Sequence, residues 1–227
     1  MNQIIQAFGD VQSILHDAIG VKVARVSFEG GTRIVKVSAD LSERFLSNQV
    51  CLIKHLLELD DPLIKVPQLY QYGNRDGFGF LVIEDLGDTS LASIWNSLTE
   101  LEKDRYIKIT REFVRRLKEI DIKDVPGLQL IVPDVRFSDA GRVVSTSEEF
   151  IREMGVEDQQ IEFGCSFELS HGDVEKRNIM VRGSELYFID WDLAGFYPQG
   201  VERFILGSKH NKHTDWQWRT DIFGCYF

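Results

Sequence analysis

Two polar motifs separated by a short apolar segment limit the folds and activities that are open to this chain. The first motif, residues 171–178, reads His-Gly-Asp-Val-Glu-Lys-Arg-Asn and places Asp173 five positions before Asn178. The second reads Ile-Asp-Trp and places Asp190 at the end of the apolar run. Transfer of a phosphoryl group from ATP needs such a set, because one carboxylate orients a hydroxyl and accepts its proton while an amide oxygen and another carboxylate hold magnesium.

The two motifs resemble those of protein kinases, which are written H-R-D-x-x-x-x-N and D-F-G. In this chain glycine replaces the arginine, and residues 190–198 read Asp-Trp-Asp-Leu-Ala-Gly-Phe-Tyr-Pro. This variant is similar to the aminoglycoside phosphotransferase and choline kinase superfamily, and most of all to its short fungal-type members. The resemblance covers about residues 20–205 and is strongest at residues 169–198.

The resemblance implies an α+β, two-lobed protein-kinase-like fold in a single domain. We expect a small antiparallel-sheet N-lobe at residues 1–85, which binds the nucleotide, and a mainly helical C-lobe at residues 86–227, which carries the catalytic and acceptor sides. The implied activity is transfer of the γ-phosphoryl group of ATP to a hydroxyl of a small molecule, with Mg²⁺ as cofactor. The resemblance does not identify the acceptor.

Hydrophobic periodicity and turn residues predict the secondary structure independently. The predicted elements are a short helix capped by Asp10, a hairpin at 21–28 and 32–38, a helix from Asp40 to about residue 59, strands at 68–73 and 78–84, a long helix with a capping box at Thr99 and Glu102, and a helix at 147–154. Two strands, a helix and two strands is the order of a kinase N-lobe. At the other end of the chain, Trp216, Trp218 and Phe223 are expected to pack a terminal helix.

The resemblance assigns nucleotide contacts to the N-terminal part of the chain. Lys36, a charged residue in a Val-rich strand, corresponds to the lysine that reaches the ATP phosphates. Kinases pair this lysine with a helix glutamate, but here the helix places Gln49 or Asn48 at that position. Gln49 is therefore expected to face Lys36 with an amide, or to end the core-facing stripe of the helix. The nearby carboxylate that remains as an alternative partner is Glu43.

Two further nucleotide contacts are expected from the chain segments around the adenine and the phosphates. The strand that ends at Glu84, with Leu86 just beyond it, resembles the hinge that binds adenine through backbone groups. A glycine-rich loop over the phosphates is poorly marked, because Gly30 and Gly31 lack the usual spacing and suit a tight turn equally well.

Within the first motif, Asp173 is the predicted general base, and Asn178 with Asp190 is the predicted Mg²⁺ pair, since Mg²⁺ prefers oxygen ligands. His171 is expected to brace the loop, and Asp192 to have a structural or supporting role.

Two basic residues of the first motif have an open role. Lys176 and Arg177 lie close enough in sequence to Asp173 to assist the phosphates. Basic loop residues are more often simply solvated, and we favour that interpretation for both.

The amino-acid composition limits the kinds of partner and the cellular location expected for the protein. With 26 Lys and Arg against 36 Asp and Glu, the net charge of −10 disfavours binding to nucleic acid. No apolar run approaches the ~20 residues of a membrane span. The cysteines, Cys51, Cys165 and Cys225, are widely spaced and odd in number, which indicates reduced thiols and a cytoplasmic location. The oligomeric state is left open.

Two alternatives to a small-molecule kinase follow from departures from the motifs. A catalytically weak or inactive kinase-like protein that binds a nucleotide or a partner is favoured by the amide at Gln49 and by the poorly marked phosphate loop. A protein kinase is disfavoured, because no A-P-E motif follows Asp190.

Overall fold

A five-stranded antiparallel sheet forms the N-terminal part of the computed structural model, which describes residues 1–18, 20–39, 43–125, 131–132, 142–143, 167–198 and 216–224. The strands stand in the spatial order β1-β2-β3-β5-β4. Their bounds are β1 (Asp10–Ala18), β2 (Val21–Phe28), β3 (Gly31–Ser38), β4 (Leu69–Arg75) and β5 (Phe78–Glu84).

The two faces of the sheet have different partners, because successive side chains of a strand point to opposite faces. On β3, Val35 and Val37 are buried in one cluster with Ile4 and Ile5 of helix α1 (Asn2–Gln6). The intervening Ile34 and Lys36 line a cavity on the opposite face. Helix α2 (Glu43–Leu59) packs on that second face, where its Val50 clusters with Leu81 of β5.

Helices and short β ladders form the C-terminal part of the described chain. The helices are α3 (Leu91–Ile94), α4 (Glu100–Leu117) and α5 (Trp216–Phe223), and 3₁₀ turns span Trp95–Ser97, Ile122–Asp124, Lys176–Asn178 and Trp191–Leu193. Three antiparallel pairs join β6 (Ile131–Val132) to β7 (Arg142–Val143), β8 (Phe167–Ser170) to β11 (Gly195–Pro198), and β9 (Ile179–Arg182) to β10 (Glu185–Phe188).

One apolar core unites these C-terminal elements with α2. Its centre is the ring of Phe113 on α4, which stacks on that of Phe188 with 3.4 Å between the ring centroids and 3° between their planes. Leu52 and Leu56 of α2 belong to the same cluster, as does Trp218 of α5. The terminal helix is therefore part of the core, as the sequence predicts.

Most predicted elements are confirmed, and the α+β class with them. The hairpin, the helix that ends at Leu59 and both later strands are present. Helix α4 begins at the predicted capping box, in which the backbone N–H of Glu102 donates to Thr99 Oγ1 at 3.3 Å and that of Thr99 donates to Glu102 Oε2 at 2.8 Å. No helix among the described residues is long and apolar enough to cross a membrane.

The predicted helix after Asp10 is wrong, since this segment forms strand β1. Val11, Ile14 and Leu15 do recur at helical spacing, but β1 pairs with β2 along its length and leaves these side chains 39–47% exposed. Backbone hydrogen bonds to β2 decide the structure, and no apolar face is buried that would favour a helix. The predicted cap at Asp40 and the helix at 147–154 lie outside the described residues.

Candidate active site

The β9–β10 hairpin brings the two polar motifs together. The loop of residues 171–178 leads into β9, and the segment of residues 189–194 follows β10. The backbone N–H of Ile189 donates to the carbonyl oxygen of Asn178 at 2.9 Å, so the two loops meet at the open end of the hairpin. Because the hairpin is short, the residues that flank it are neighbours whatever the rest of the chain does.

His171 ties these loops together from the inside. Its side chain is fully buried, and burial lowers the pKa of the imidazole to about 4, so the ring is neutral near pH 7. Nδ1 accepts from the backbone N–H of Asp173 at 3.2 Å, so the proton lies on Nε2, which donates to the carbonyl oxygen of Ile189 at 3.0 Å. These contacts match the bracing role predicted for His171.

Gly172 lets the loops approach closely. Its φ is +81°, a conformation that glycine adopts without strain. A Cβ placed on this residue would overlap the carbonyl oxygen of Leu193 and would lie 2.7 Å from the Cβ of Leu193. The glycine that stands in place of the kinase arginine is therefore required by the packing of the segment that carries Asp190.

The predicted base, Asp173, is held by two neighbours in its own loop. Asn178 Nδ2 donates to Asp173 Oδ2 at 2.7 Å and to its carbonyl oxygen at 3.1 Å. Arg177 Nη2 donates to both carboxylate oxygens, at 3.1 Å to Oδ1 and 2.8 Å to Oδ2. Since the amide nitrogen of Asn178 is used in this way, Oδ1 is the Asn178 atom left to coordinate a cation.

A cavity of about 510 Å³ lies between the sheet and these loops. Lys36, Gln49, Asn178 and Asp190 all line it, so the structure brings four predicted site residues to one space. Its other lining residues are His16, Val21, Val23, Ile34, Ile53, Pro67, Leu81, Ile83, Arg177, Ile189, Trp191 and Asp192.

Lys36 is at the centre of the charges in the cavity. Its Nζ lies 2.8 Å from Asp190 Oδ1 and also contacts Asp192 Oδ2. Burial alone would lower the pKa of Lys36, but Asp192 and Asp190 outweigh that effect and raise it, so the ammonium stays charged. Asp190 has φ 64° and ψ 63°, a strained conformation for a residue other than glycine, of the kind that concentrates at functional sites.

The two carboxylates beside Lys36 differ in their pKa. For Asp192, burial is the main cause of a raised pKa. The ammonium of Lys36 opposes this rise only in part, and the neighbouring carboxylate of Asp190 adds to it. For Asp190, burial acts in the same direction, but the ammonium of Lys36 outweighs it and the pKa is lowered. Of the two carboxylates, Asp190 is thus the one held more strongly in its anionic form.

No hydrogen bond joins the amide of Gln49 to Lys36, although facing the lysine was one of the two expectations for this residue. Its Nε2 donates to Asp192 Oδ1, so Lys36 and Gln49 share one carboxylate. The acid that partners the lysine therefore comes from the loop after β10, and the helix supplies a hydrogen-bond donor to it. The side chains of the alternative partners, Asn48 and Glu43, lie outside the described part of the chain.

This arrangement predicts that Gln49→Glu destabilises the folded protein. A carboxylate at this position would lose the hydrogen bond to Asp192 and add a third negative charge around one ammonium. We expect the free energy of unfolding near pH 8 to fall by about 1–3 kcal/mol. Because these neighbours raise the pKa of the new glutamate, the folded state binds the extra proton more tightly, and the loss shrinks as the pH falls.

Urea unfolding of the Gln49→Glu variant across pH 5–8 measures this effect. Gln71→Glu, the same change at an exposed position of β4, is the control and is expected to stay within about 0.5 kcal/mol of the parent protein. A Gln49→Glu protein that is more stable than the parent, or that binds nucleotide more tightly, would contradict this expectation. Such a result would favour a direct pair between residue 49 and Lys36.

The predicted hinge residues, Glu84 and Leu86, are outside the cavity lining. Glu84 Oε1 accepts from Arg182 Nη1 at 2.6 Å, and its backbone N–H donates to the carbonyl oxygen of Gln68 at 2.9 Å. The cavity extends to Ile83, the residue before Glu84. The structure therefore places the hinge next to the cavity, and adenine binding by its backbone stays a prediction.

The cavity is bordered by the end of the β1–β2 ladder nearest Gly20, where His16, Val21 and Val23 line it. Gly30 and Gly31 join β2 to β3 at the other end of the sheet and line a separate cavity. Within this part of the sheet, His16 pairs with Val23, and Val23 pairs with Lys36. His16 was missed because its segment was predicted to be helical, although Gly20 between two Val- and Ala-containing runs is a turn signal.

Arg177 and Asp192 were recognised in the sequence but given minor roles. Both line the cavity, and each contacts a predicted site residue. The sequence signal for Arg177 was its position four residues after Asp173. The 3₁₀ turn that contains Arg177 returns its side chain to the carboxylate of Asp173. Lys176 points elsewhere, with its Nζ 4.3 Å from the centroid of the Trp95 ring.

Comparison with known structures shows which fold carries this site. Aminoglycoside phosphotransferase APH(4)-Ia matches with a TM-score of 0.63 and 14% identity, over 90% of this chain and 73% of its own. A thermostable mutant of that enzyme, in ternary complex with AMP-PNP and hygromycin B, matches with a TM-score of 0.61 and 14% identity, over 90% of this chain and 74% of its own.

Spectinomycin phosphotransferase APH(9)-Ia, in complex with ADP and spectinomycin, matches with a TM-score of 0.57 and 14% identity, over 100% of this chain and 80% of its own. At this level of identity, the similarity confirms the predicted protein-kinase-like fold. A search of curated protein sequences found no significant match. The model of the phosphotransferase enzyme family matches residues 10–217, nearly the whole chain, and the chain therefore belongs to that family.

Proposed function

We propose that this protein is an ATP- and Mg²⁺-dependent phosphotransferase that moves the γ-phosphoryl group to a hydroxyl of a small molecule. The observation that carries the proposal is the shared cavity: Lys36, Asn178 and Asp190 line it, and Asp173 is bound to Asn178 beside it. These are the side chains that phosphoryl transfer uses to bind phosphate, hold a metal and orient the acceptor.

The residues present fit a magnesium ion that arrives with the nucleotide. The described residues contain no cluster of three or more His, Cys, Asp or Glu side chains that would hold a metal alone. Magnesium in kinases is instead held by one or two protein oxygen ligands together with substrate phosphates. Asp190 and Asn178 Oδ1 supply such a pair. When bound, the ion neutralises charge on the phosphates.

The orientation of Asp173 suits a base for the acceptor hydroxyl. The hydrogen bonds from Asn178 fix one carboxylate oxygen and the backbone, so the orientation of the side chain is set before substrate arrives. Lys36 is charged and supplies the cation for the phosphates. Asp190 and Asp192 hold it in the described structure. The phosphates of a bound nucleotide would compete with these carboxylates for the ammonium, which would leave Asp190 available to a cation.

The acceptor is proposed only as a class, a small molecule with a free hydroxyl group. Two of the similar structures are named as an aminoglycoside phosphotransferase and a spectinomycin phosphotransferase. Aminoglycosides and spectinomycin are therefore candidate acceptors for screening with this chain. Part of the C-lobe that was expected to carry the acceptor side, including residues 133–141 and 144–166, lies outside the described residues.

A nucleotide-binding protein without transferase activity is the second candidate. It is favoured by Gln49, which removes the usual glutamate from the helix opposite the lysine. Asp192 supplies a carboxylate to Lys36 in its place, so the charge pair itself is not lost. This observation favours the enzyme over the inactive relative.

Thermal unfolding with AMP-PNP, with and without Mg²⁺, tests the proposal. We expect AMP-PNP to raise the Tm only when Mg²⁺ is present, and we expect Asp190→Asn to abolish that shift. The control is Glu100→Gln, which removes a charge from an 87% exposed side chain on α4 and should respond like the parent protein. Phosphorylation of aminoglycosides, choline and amino-alcohols by the parent protein then separates the enzyme from the inactive relative. Absence of any magnesium-dependent shift in the parent protein would rule out the proposed site.

A further inference from the structure

Arg177 contacts both the predicted base and the nucleotide cavity. It lies in the 3₁₀ turn Lys176–Asn178 and donates to both carboxylate oxygens of Asp173. Its side chain is 49% exposed and lines the same cavity as Asn178 and Asp190. The guanidinium therefore stands between the carboxylate that receives the acceptor and the space in which the phosphates would bind.

The other charged residues of this loop are committed to different partners. Glu175 is buried and accepts from Arg219 Nε at 2.8 Å. The ammonium of Lys176 lies over the rings of Trp95 and Trp218, at 4.3 and 5.8 Å from their centroids, and Lys176 is not part of the cavity lining. Within the described loop, Arg177 is thus the cation that faces the cavity.

The contact between Arg177 and Asp173 leaves little room for a substrate hydroxyl. Both carboxylate oxygens accept from Arg177, and Oδ2 also accepts from Asn178. A hydroxyl that donates to Asp173 must compete with the guanidinium. If Arg177 moves away, Asn178 still holds the carboxylate in place, so the base keeps its orientation.

We propose that Arg177 recognises the γ-phosphate of ATP, and that its move from Asp173 to the phosphate uncovers the base for the acceptor. This inference rests on the proposed function. A guanidinium binds phosphate through two parallel hydrogen bonds, and these are stronger than bonds between neutral groups. Because the side chain is half exposed, it can reorient without opening the core.

The proposal gives ATP and ADP different effects on the same residue. ADP has no γ-phosphate, so Arg177 stays on Asp173 and the base stays covered. ATP supplies the competing anion, so the base becomes accessible only when a transferable phosphoryl group is present. Arg177 is then a residue that discriminates the substrate nucleotide from the product nucleotide.

Isothermal titration with Mg-AMP-PNP and with Mg-ADP tests the contact. We expect Arg177→Ala to weaken Mg-AMP-PNP binding about 10- to 100-fold, the loss typical of a hydrogen bond between charged groups, and to change Mg-ADP binding less than about twofold. Lys176→Ala removes the same charge from the neighbouring position, outside the cavity lining, and should leave the ratio of the two affinities unchanged.

A second pair of variants separates a phosphate contact from simple repulsion. Removing Arg177 also exposes the charge of Asp173, which would repel the γ-phosphate even if Arg177 never touched it. In an Asp173→Asn background this repulsion is absent. We expect Asp173→Asn alone to tighten Mg-AMP-PNP binding several-fold, since Arg177 no longer has a competing partner, and the added Arg177→Ala change to weaken it about 10-fold or more.

An Arg177→Ala change with no effect in the Asp173→Asn background overturns the proposal, and so does equal weakening of both nucleotides in the parent background. In either case, binding of Mg-ADP by the parent protein would still support the proposed nucleotide site. If the parent protein binds neither nucleotide, the proposed function fails and this inference fails with it.

Discussion

Replacing Asp173 with asparagine is expected to lower the rate of phosphoryl transfer about 10²–10⁴-fold, the range typical for loss of a general base. Asparagine keeps an oxygen that can accept from Asn178 Nδ2, so the loop geometry is preserved, but it does not take the proton of an acceptor hydroxyl. The rate is measured by transfer to an acceptor found by screening, and by the slower transfer to water in its absence.

The same substitution is expected to tighten Mg-AMP-PNP binding several-fold, which separates loss of chemistry from loss of fold. Asp88→Asn is the matched control, because its side chain is 78% exposed and its partner Arg25 keeps a second carboxylate, Asp85. The control should retain the parent rate within about twofold. An Asp173→Asn protein that turns over at the parent rate would remove Asp173 from the proposed chemistry.

The part of the site that the sequence predicts well is the part formed by local contacts. Asp173, Asn178 and Asp190 flank a single hairpin, and that hairpin alone brings their loops together. The capping box of Thr99 and Glu102 is predicted for the same reason, because both partners lie within one helical turn. Such contacts depend on chain geometry that a short pattern already fixes.

Contacts between distant segments are harder to predict. Lys36 and Asp190 are 154 positions apart, and only the family resemblance placed the lysine near the metal site. The resemblance also suggested that Gln49 faces Lys36, but Asp192 lies between them. Chains of this kind carry many carboxylates, and which one reaches a given ammonium depends on how the helix and the loop pack together.

Strand β1 shows a different limit of pattern analysis. Its ladder with β2 has register shifts between Val11 and Ser13 and between Ile14 and His16. Each irregularity adds a residue to one strand and interrupts the alternation by which strands are recognised. The apolar residues then fall at spacings of three and four, which is the helical pattern. A sequence period cannot detect a bulge that forms only against the neighbouring strand.

Among changes to stability, we expect Arg219→Met to have the largest effect. Arg219 on α5 donates through Nε and Nη2 to Glu175 Oε1, and the two side chains are only 6% and 4% exposed. The variant leaves the carboxylate buried without its partner, which typically costs about 3–5 kcal/mol. A domain of ordinary stability has about 5–15 kcal/mol in total, so much of the folded state would be lost on modest heating.

The effect should depend on pH in a defined direction. Burial already raises the pKa of Glu175 in the parent protein, and loss of Arg219 removes the main opposing influence. In the variant, the folded state therefore binds a proton more tightly than the unfolded chain. Destabilisation should be smallest below the ordinary glutamate pKa, grow as the pH rises, and reach its full size above the raised pKa of the folded protein.

Loss of this pair should also disturb the catalytic loop, because α5 holds two residues that follow Asp173. Trp218 Nε1 donates to the carbonyl oxygen of Val174 at 2.9 Å, next to the Arg219–Glu175 pair. We therefore expect the folded fraction of Arg219→Met to transfer phosphate more slowly, although α5 does not line the cavity.

Urea unfolding of four proteins measures the cost of the unpaired charge: the parent, Arg219→Met, Glu175→Gln and the double variant. Glu175→Gln removes the buried charge, so the double variant should recover most of the stability that Arg219→Met loses, and its remaining loss should not grow with pH. Gln217→Ala, on the exposed side of α5, is the control and should stay within about 0.5 kcal/mol of the parent. A double variant that is as unstable as Arg219→Met would show that the packing of the arginine side chain, rather than its charge, holds α5 against the catalytic loop.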